Sequence, residues 1–265
     1  LQFSKHNPSA MILVSPLGLV PKMGELVALC EKYNVLLVED VCESMGSKYG
    51  NKYLGTFGYA SLFSMYFGHH LSTIEGGFIN TNDEELYHML LMMRSHGWDR
   101  DLPNWKQQEL REKHNCSDFD ALYNFYVPGF NLRATDLQAY IGLRAIDKLD
   151  TYSAIRNNNF HTYNELLENK RIDFRINDDF ISSFAIPLLK KDRAAVVKEL
   201  QDDGIEVRPL IAGNMASKPM WTNVYKQPTL PICQIIEKEG LYVPNHQGMV
   251  EDDIKRIVKI LNNYE

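Results

Sequence analysis

Ser64-Met65-Tyr66-Phe67-Gly68-His69-His70-Leu71-Ser72-Thr73-Ile74-Glu75-Gly76-Gly77 is the stretch on which the fold turns. It joins two short apolar runs, 60–66 and 77–80, that read as strands. The Gly76-Gly77 pair permits a tight turn into the second of them. Upstream, Ala-Met-Ile-Leu-Val at 10–14 predicts a buried strand. Residues 22–33 place Met23, Leu26, Val27 and Cys30 at helical spacing, and 35–38 form a second apolar strand. Strand, helix and strand at this length make a βαβ unit, hence a parallel sheet with helices on it.

Downstream, 83–94 reads as a helix with Leu86, Met89, Leu90 and Met93 on one face and acidic residues at its start. The pattern then breaks down over 98–128, where charges, Pro103 and clustered aromatics predict an ordered loop. Residues 134–148 resume as a helix, and 152–167 continue as a long polar one. That change in polarity sets the expected boundary between a large domain, 1–150, and a small one, 151–265. Within the latter, 184–188 and 205–208 read as strands, 193–203 as a helix, and 251–261 as an amphipathic closing helix. The expected fold class is α/β, followed by a smaller α+β unit.

The 265 residues are 45% hydrophobic and 23% charged, as in a soluble globular protein with a sizeable core. A net charge of −6 argues against nucleic acid as a partner. No apolar run reaches the roughly 18 residues of a membrane span, so no membrane partner is expected. The opening Leu1-Gln2-Phe3-Ser4-Lys5-His6 lacks the layout of a secretory signal. Cys30, Cys42, Cys116 and Cys233 are scattered without a CxxC, which suits reduced thiols in the cytoplasm and suggests no zinc site.

Asp40 closes the second strand, where α/β sheets place ligands, although an acidic residue there is also a common helix cap. His69 and His70 are adjacent in an extended segment and point in opposite directions, a poor arrangement for chelating one metal. They remain either ordinary hydrogen-bonded histidines or a base and its neighbour. Thr135 opens the 134–148 helix as a cap, and Arg208 offers either a planar phosphate-binding fork or a plain surface charge.

Two motifs carry a resemblance that bears on the strand-end acid and the histidine pair and leaves both readings of Arg208 open: Ser64 to Gly77, and Gly129-Phe130-Asn131-Leu132-Arg133-Ala134-Thr135-Asp136-Leu137-Gln138-Ala139. Both resemble the DegT/DnrJ/EryC1/StrS family of nucleotide-sugar aminotransferases, and the likeness runs over residues 10–264. It implies a large domain of the pyridoxal-phosphate-dependent transferase type (fold type I), incomplete at its N-terminus, and a smaller C-terminal α+β domain. Roughly the first hundred residues of the family pattern, including a Gly/Ser-rich turn that holds the cofactor phosphate, have no counterpart here.

In that family a lysine five residues after the serine and six before the glutamate forms the Schiff base with the cofactor. Here the position is His69. Imidazole cannot make that bond, but with an ordinary pKa of about 6.5 it moves protons near neutrality. The resemblance is therefore to the histidine-containing branch that removes the C3 hydroxyl of GDP-4-keto-6-deoxy-D-mannose. It implies pyridoxal 5′-phosphate and pyridoxamine 5′-phosphate as cofactor forms, a nucleotide-linked 4-keto-6-deoxy sugar as substrate, and L-glutamate to restore the amine.

His69 is then the catalytic base. Asp40 pairs with the pyridinium nitrogen, Glu43 lies near the ring hydroxyl, and Ser64 donates to the phosphate. Asn131 reaches the phosphate of a neighbouring protomer, which implies a homodimer with shared sites. His96, Arg208 and Asn214 lie near the substrate. A sister group that uses an iron–sulfur cluster needs clustered cysteines, which this chain lacks. A sugar aminotransferase tolerating histidine, and a non-catalytic fragment, are the alternatives.

Overall fold

The structure is a computed structural model that describes residues 2–168, 170–172 and 179–265. A short helix α1 (Gln2–His6) leads into β1 (Ala10–Val14), α2 (Met23–Tyr33) and β2 (Leu36–Asp40). Asn34 ends α2 in the left-handed conformation, φ 52°, which a short polar side chain tolerates. A small hairpin, β3 (Lys48–Tyr49) and β4 (Lys52–Tyr53), precedes β5 (Ala60–Ser64), β6 (Gly77–Thr81) and α3 (Glu84–Met93). The side chain of Asp83 caps α3 by accepting from Leu86 N at 2.7 Å.

The sheet order is β1-β2-β5-β6, with the first three strands parallel and β6 antiparallel. Its core holds Met23, Cys30, Leu37, Val41 and Leu54, with Met11 and Leu13 packed against them. Residues 10–14 were expected to form a buried strand. Only alternate side chains are covered, because α2 shields one face, while Ile12 and Val14 stay 66% and 54% exposed. β6 is an edge strand, exposed over 77–80.

The stretch 98–128 is not the irregular loop its composition suggests. It contains α4 (Asn104–Lys113) and a 3₁₀ turn at Asp120–Tyr123. α4 is so polar that it carries no apolar period; it buries only Leu110 and the stem of Lys106. α5 (Asp136–Ile146) opens with a reciprocal Thr135–Gln138 capping box. α6 (Leu149–Leu166) follows, and the expected boundary at residue 151 falls within its first turn.

The remainder comprises β7 (Ala185–Leu189), α7 (Arg193–Asp202), β8 (Arg208–Pro209), α8 (Pro219–Thr222), α9 (Pro231–Glu239), β9 (Gly240–Pro244) and α10 (Glu251–Asn262). The strand expected over 205–208 shrinks to two residues, since Ile205 and Val207 are buried outside the ladder. β7, β9 and β8 form an antiparallel sheet. It packs with α6, α7 and α10 around Phe160, Tyr163, Leu200, Leu241, Ile254 and Leu261.

Candidate active site

The parallel register sets Val14, Asp40 and Leu62 side by side, so the carboxyl ends of β1, β2 and β5 meet, with Ser64 closing β5. Open α/β sheets bind ligands at such ends. Asp40 Oδ1 accepts from Cys42 N at 3.1 Å. The carbonyl of Cys42 in turn lies 2.5 Å from His69 Nδ1. A carbonyl only accepts, so Nδ1 carries the proton and Nε2 keeps its lone pair. One residue, Cys42, thus ties the strand-end carboxylate to the imidazole.

The turn bearing His69 is closed by Met65 N to Gly76 O and Thr73 N to Met65 O, both 2.9 Å, and by His69 N to Tyr66 O at 3.0 Å. Gly76, at φ 143°, takes a conformation closed to other residues. The rings of Tyr66 and Phe184 lie 5.9 and 5.2 Å from that of His69. Ser64 Oγ accepts from Tyr66 N at 3.2 Å, so its own proton remains available to donate.

Glu43 Oε2 accepts from Leu17 N at 2.8 Å and so braces the turn at Pro16–Gly18. The preceding acidic residue, Glu39, is buried and accepts from the backbone N–H groups of Gly55, Phe57 and Gly58, each at 2.7 Å. Burial, then the hydrogen bond and charge of Asp40 and the charge of Glu43, push the Cys42 thiol up to about 12. Among the described residues no three His, Cys, Asp or Glu side chains are placed to hold a metal.

A cleft of about 750 Å³ opens beside these strand ends, lined by Cys42, Ser64, Gly76, Phe78, Arg94 and Phe130 among others. The chain at 130–132 runs along 93–96: Phe130 N donates to Met93 O, His96 N to Phe130 O and Leu132 N to Arg94 O. That pairing sets Asn131 beside Ser95 and next to His96. The Asn131 side chain is exposed, its Oδ1 accepting from Arg133 at 3.4 Å. His96 itself is left-handed, φ 62°, with its ring 4.7 Å from that of Trp98. Gln138 Nε2 donates to Glu75 O at 2.7 Å, fastening α5 to the turn after His69.

Arg208 stands exposed, ion-paired with Glu206 and opposite Tyr242 in the small sheet. The Tyr242 ring is 6.4 Å from Phe184, so Arg208 is connected to His69 through two aromatic rings. Asn214 has a structural role of its own. It is buried, and its Oδ1 caps the short 3₁₀ turn Met215–Ser217 by accepting from Ala216 N at 3.1 Å. Phe184 and Tyr242 escaped the sequence reading, because their proximity to His69 arises only from the packing of the second sheet against the first.

The family model for the DegT/DnrJ/EryC1/StrS aminotransferase family matches residues 4–262. The GDP-4-keto-6-deoxy-D-mannose 3-dehydratase of Yersinia pseudotuberculosis is 33% identical, over 97% of this chain and 67% of its own length. The E. coli GDP-4-keto-6-deoxy-D-mannose-3-dehydratase with bound hydrated PLP superposes with a TM-score of 0.84 at 31% identity. That match covers 97% of this chain and 68% of that one. A GDP-4-keto-6-deoxymannose-3-dehydratase carrying a trapped PLP-glutamate geminal diamine matches equally, with a TM-score of 0.84, 31% identity and the same two coverages. Strand ends, histidine turn and matched length together make this chain a member of the DegT/DnrJ/EryC1/StrS aminotransferase family.

Proposed function

We propose that the chain serves the pyridoxamine-phosphate-dependent removal of the C3 hydroxyl from a GDP-linked 4-keto-6-deoxy sugar, with L-glutamate restoring the amine form of the cofactor. The observation that carries this reading is His69, whose bonded Nδ1 leaves Nε2 as a base where the family's lysine would stand. The residues present suit such a cofactor. Asp40 accepts from Cys42 N through one oxygen, and a carboxylate keeps further acceptor sites for a protonated ring nitrogen, while Ser64 Oγ accepts from Tyr66 N and keeps its own proton to donate to a phosphate.

When bound, the cofactor supplies an amine for the C4 ketone and a ring that takes up electrons. His69 Nε2 accepts the proton whose removal drives loss of the C3 hydroxyl. The Asp40 carboxylate keeps the ring nitrogen protonated. Arg208 offers its guanidinium to the nucleotide phosphates. Asn131 serves the phosphate of a second copy, and the exposed Leu137, Tyr140 and Leu143 of α5 support a homodimer built on that face. A role in lipopolysaccharide O-antigen synthesis follows from the sugar class. Four unpaired cysteines suit a cytoplasmic setting.

The bare face of β1 and β2 favours one rival, a chain that folds without catalysing. A visible-spectrum titration with pyridoxal phosphate and then L-glutamate, followed by a GDP-4-keto-6-deoxy sugar, separates the two. The dehydratase reading expects binding, glutamate-driven conversion and loss of oxygen at C3. His69→Asn should then lower the elimination rate by about 10²–10⁴-fold while the chain still binds cofactor. A folded sample that never binds the cofactor refutes it and leaves the rival.

A further inference from the structure

The second histidine of the pair is placed unlike the first. His70 is 2% exposed, and its Nε2 donates to the carbonyl of Ser182 at 2.8 Å. Its Nδ1 is buried without a hydrogen-bond partner among the described residues. The Ser182 peptide is held from its other side as well: its N–H donates to Ser47 Oγ, which donates to Gly18 O, both at 2.9 Å. Gly18, at φ 83°, lets these backbones meet, since a Cβ there would run into the Ser182 carbonyl.

Two residues beyond Ser182 comes Phe184, the ring that flanks His69. Phe184 N donates to Leu17 O at 3.0 Å, Leu17 N donates to Glu43 Oε2 at 2.8 Å, and Glu43 adjoins Cys42, whose carbonyl holds His69 Nδ1. The bonds therefore close a circuit around the imidazole: Cys42, Glu43, Leu17, Phe184, Ser182, His70 and back to His69. Among the described residues the His69 side chain makes one hydrogen bond. One such bond leaves a ring free to swing about it unless packing blocks the motion, and of the two rings beside it, Tyr66 and Phe184, Phe184 lies nearer.

We propose that His70 is a positioning residue: through Ser182 it holds Phe184 against His69, and so keeps the His69 proton on Nδ1 and the lone pair on Nε2. The catalytic use of that lone pair rests on the function proposed above, whereas the positioning does not. Burial foremost, then the charge of Arg156, drives the His70 pKa down to about 3, so the ring remains a neutral Nε2–H donor across the working range. Arg156 steadies the same segment from behind, donating to the carbonyls of Ser183 and Phe184 at 3.2 and 3.3 Å.

The test reads the tautomer of His69 in the full chain without cofactor, by two-bond ¹H–¹⁵N correlation of ¹⁵N-labelled histidine, with His69→Gln to assign the signal. The wild type should show a single Nδ1–H form. In His70→Leu the signal should move toward the tautomer mixture of a free imidazole. His70→Gln, which restores a donor to Ser182, should return it, and Phe184→Leu, with His70 intact, should reproduce the shift. Circular dichroism checks that each variant folds; if His70→Leu does not, Phe184→Leu and His70→Gln decide.

An unchanged His69 signal in folded Phe184→Leu or His70→Leu overturns the proposal. With cofactor and substrate, kcat for His70→Leu should fall about tenfold with KM little changed, as for a misplaced base. Shifted tautomers in chains that never eliminate would uphold the positioning role and sink the proposed reaction instead.

Discussion

The two halves of the molecule bury their side chains to different extents. Around α6, α7 and α10 the second sheet encloses a continuous core that includes Phe160, Tyr163, Leu200, Leu241 and Leu261, each almost fully buried. The first sheet is covered by α2 on one face, while Ile12, Val14 and Leu36 lie open on the other. The chemistry-bearing residues belong to this less enclosed half, at its strand ends. Burial supplies stability in proportion to apolar area removed from water, so the closed half anchors the fold. The open half holds the geometry of its candidate site through hydrogen bonds such as those of Glu39, Glu43 and Cys42.

The sharpest way to break this contrast is to cut into the closed core. Leu200→Ala, at a site with no exposure, should cost about 2–5 kcal/mol in denaturant unfolding; a smaller loss would mean that core is looser than its burial implies. Glu39→Gln tests whether hydrogen bonds sustain the open half. The amide has one acceptor oxygen for three backbone donors, and the expected cost is about 1–3 kcal/mol. Hydrogen exchange should then quicken at Gly55, Phe57 and Gly58, while α10 stays protected. At the small end, Ile12→Thr should change stability by less than about 0.5 kcal/mol. A cost like that of Leu200→Ala would show that the bare face of β1 is covered in solution.

What the sequence disclosed follows the same division. The βαβ unit was legible because α2 and the strands beside it obey clean apolar periods. Helix α4 was not, since its residues are almost all polar and its place is set by Leu110 and the ion pairs of Lys106 and Arg111. The positions of Asp40 at a strand end and His69 in the turn after β5 were legible, while the roles proposed for them come from the family likeness. The capping role of Asn214 was not legible, because a helix-capping asparagine and a ligand-binding one look identical in a sequence. Phe184 and Tyr242 could not be found at all, because no local pattern encodes a contact made when two sheets pack.

Cys42 carries a consequence of its own. Its thiol lines the cleft where an electrophilic carbonyl is expected to enter, yet burial and the carboxylates of Asp40 and Glu43 hold it protonated far above neutral pH. A protonated thiol is a feeble nucleophile and resists alkylation and oxidation. The cleft is thereby kept chemically quiet on one side, with a sulfur that fills space beside the peptide that holds His69 Nδ1, and the proposed chemistry is left to the imidazole.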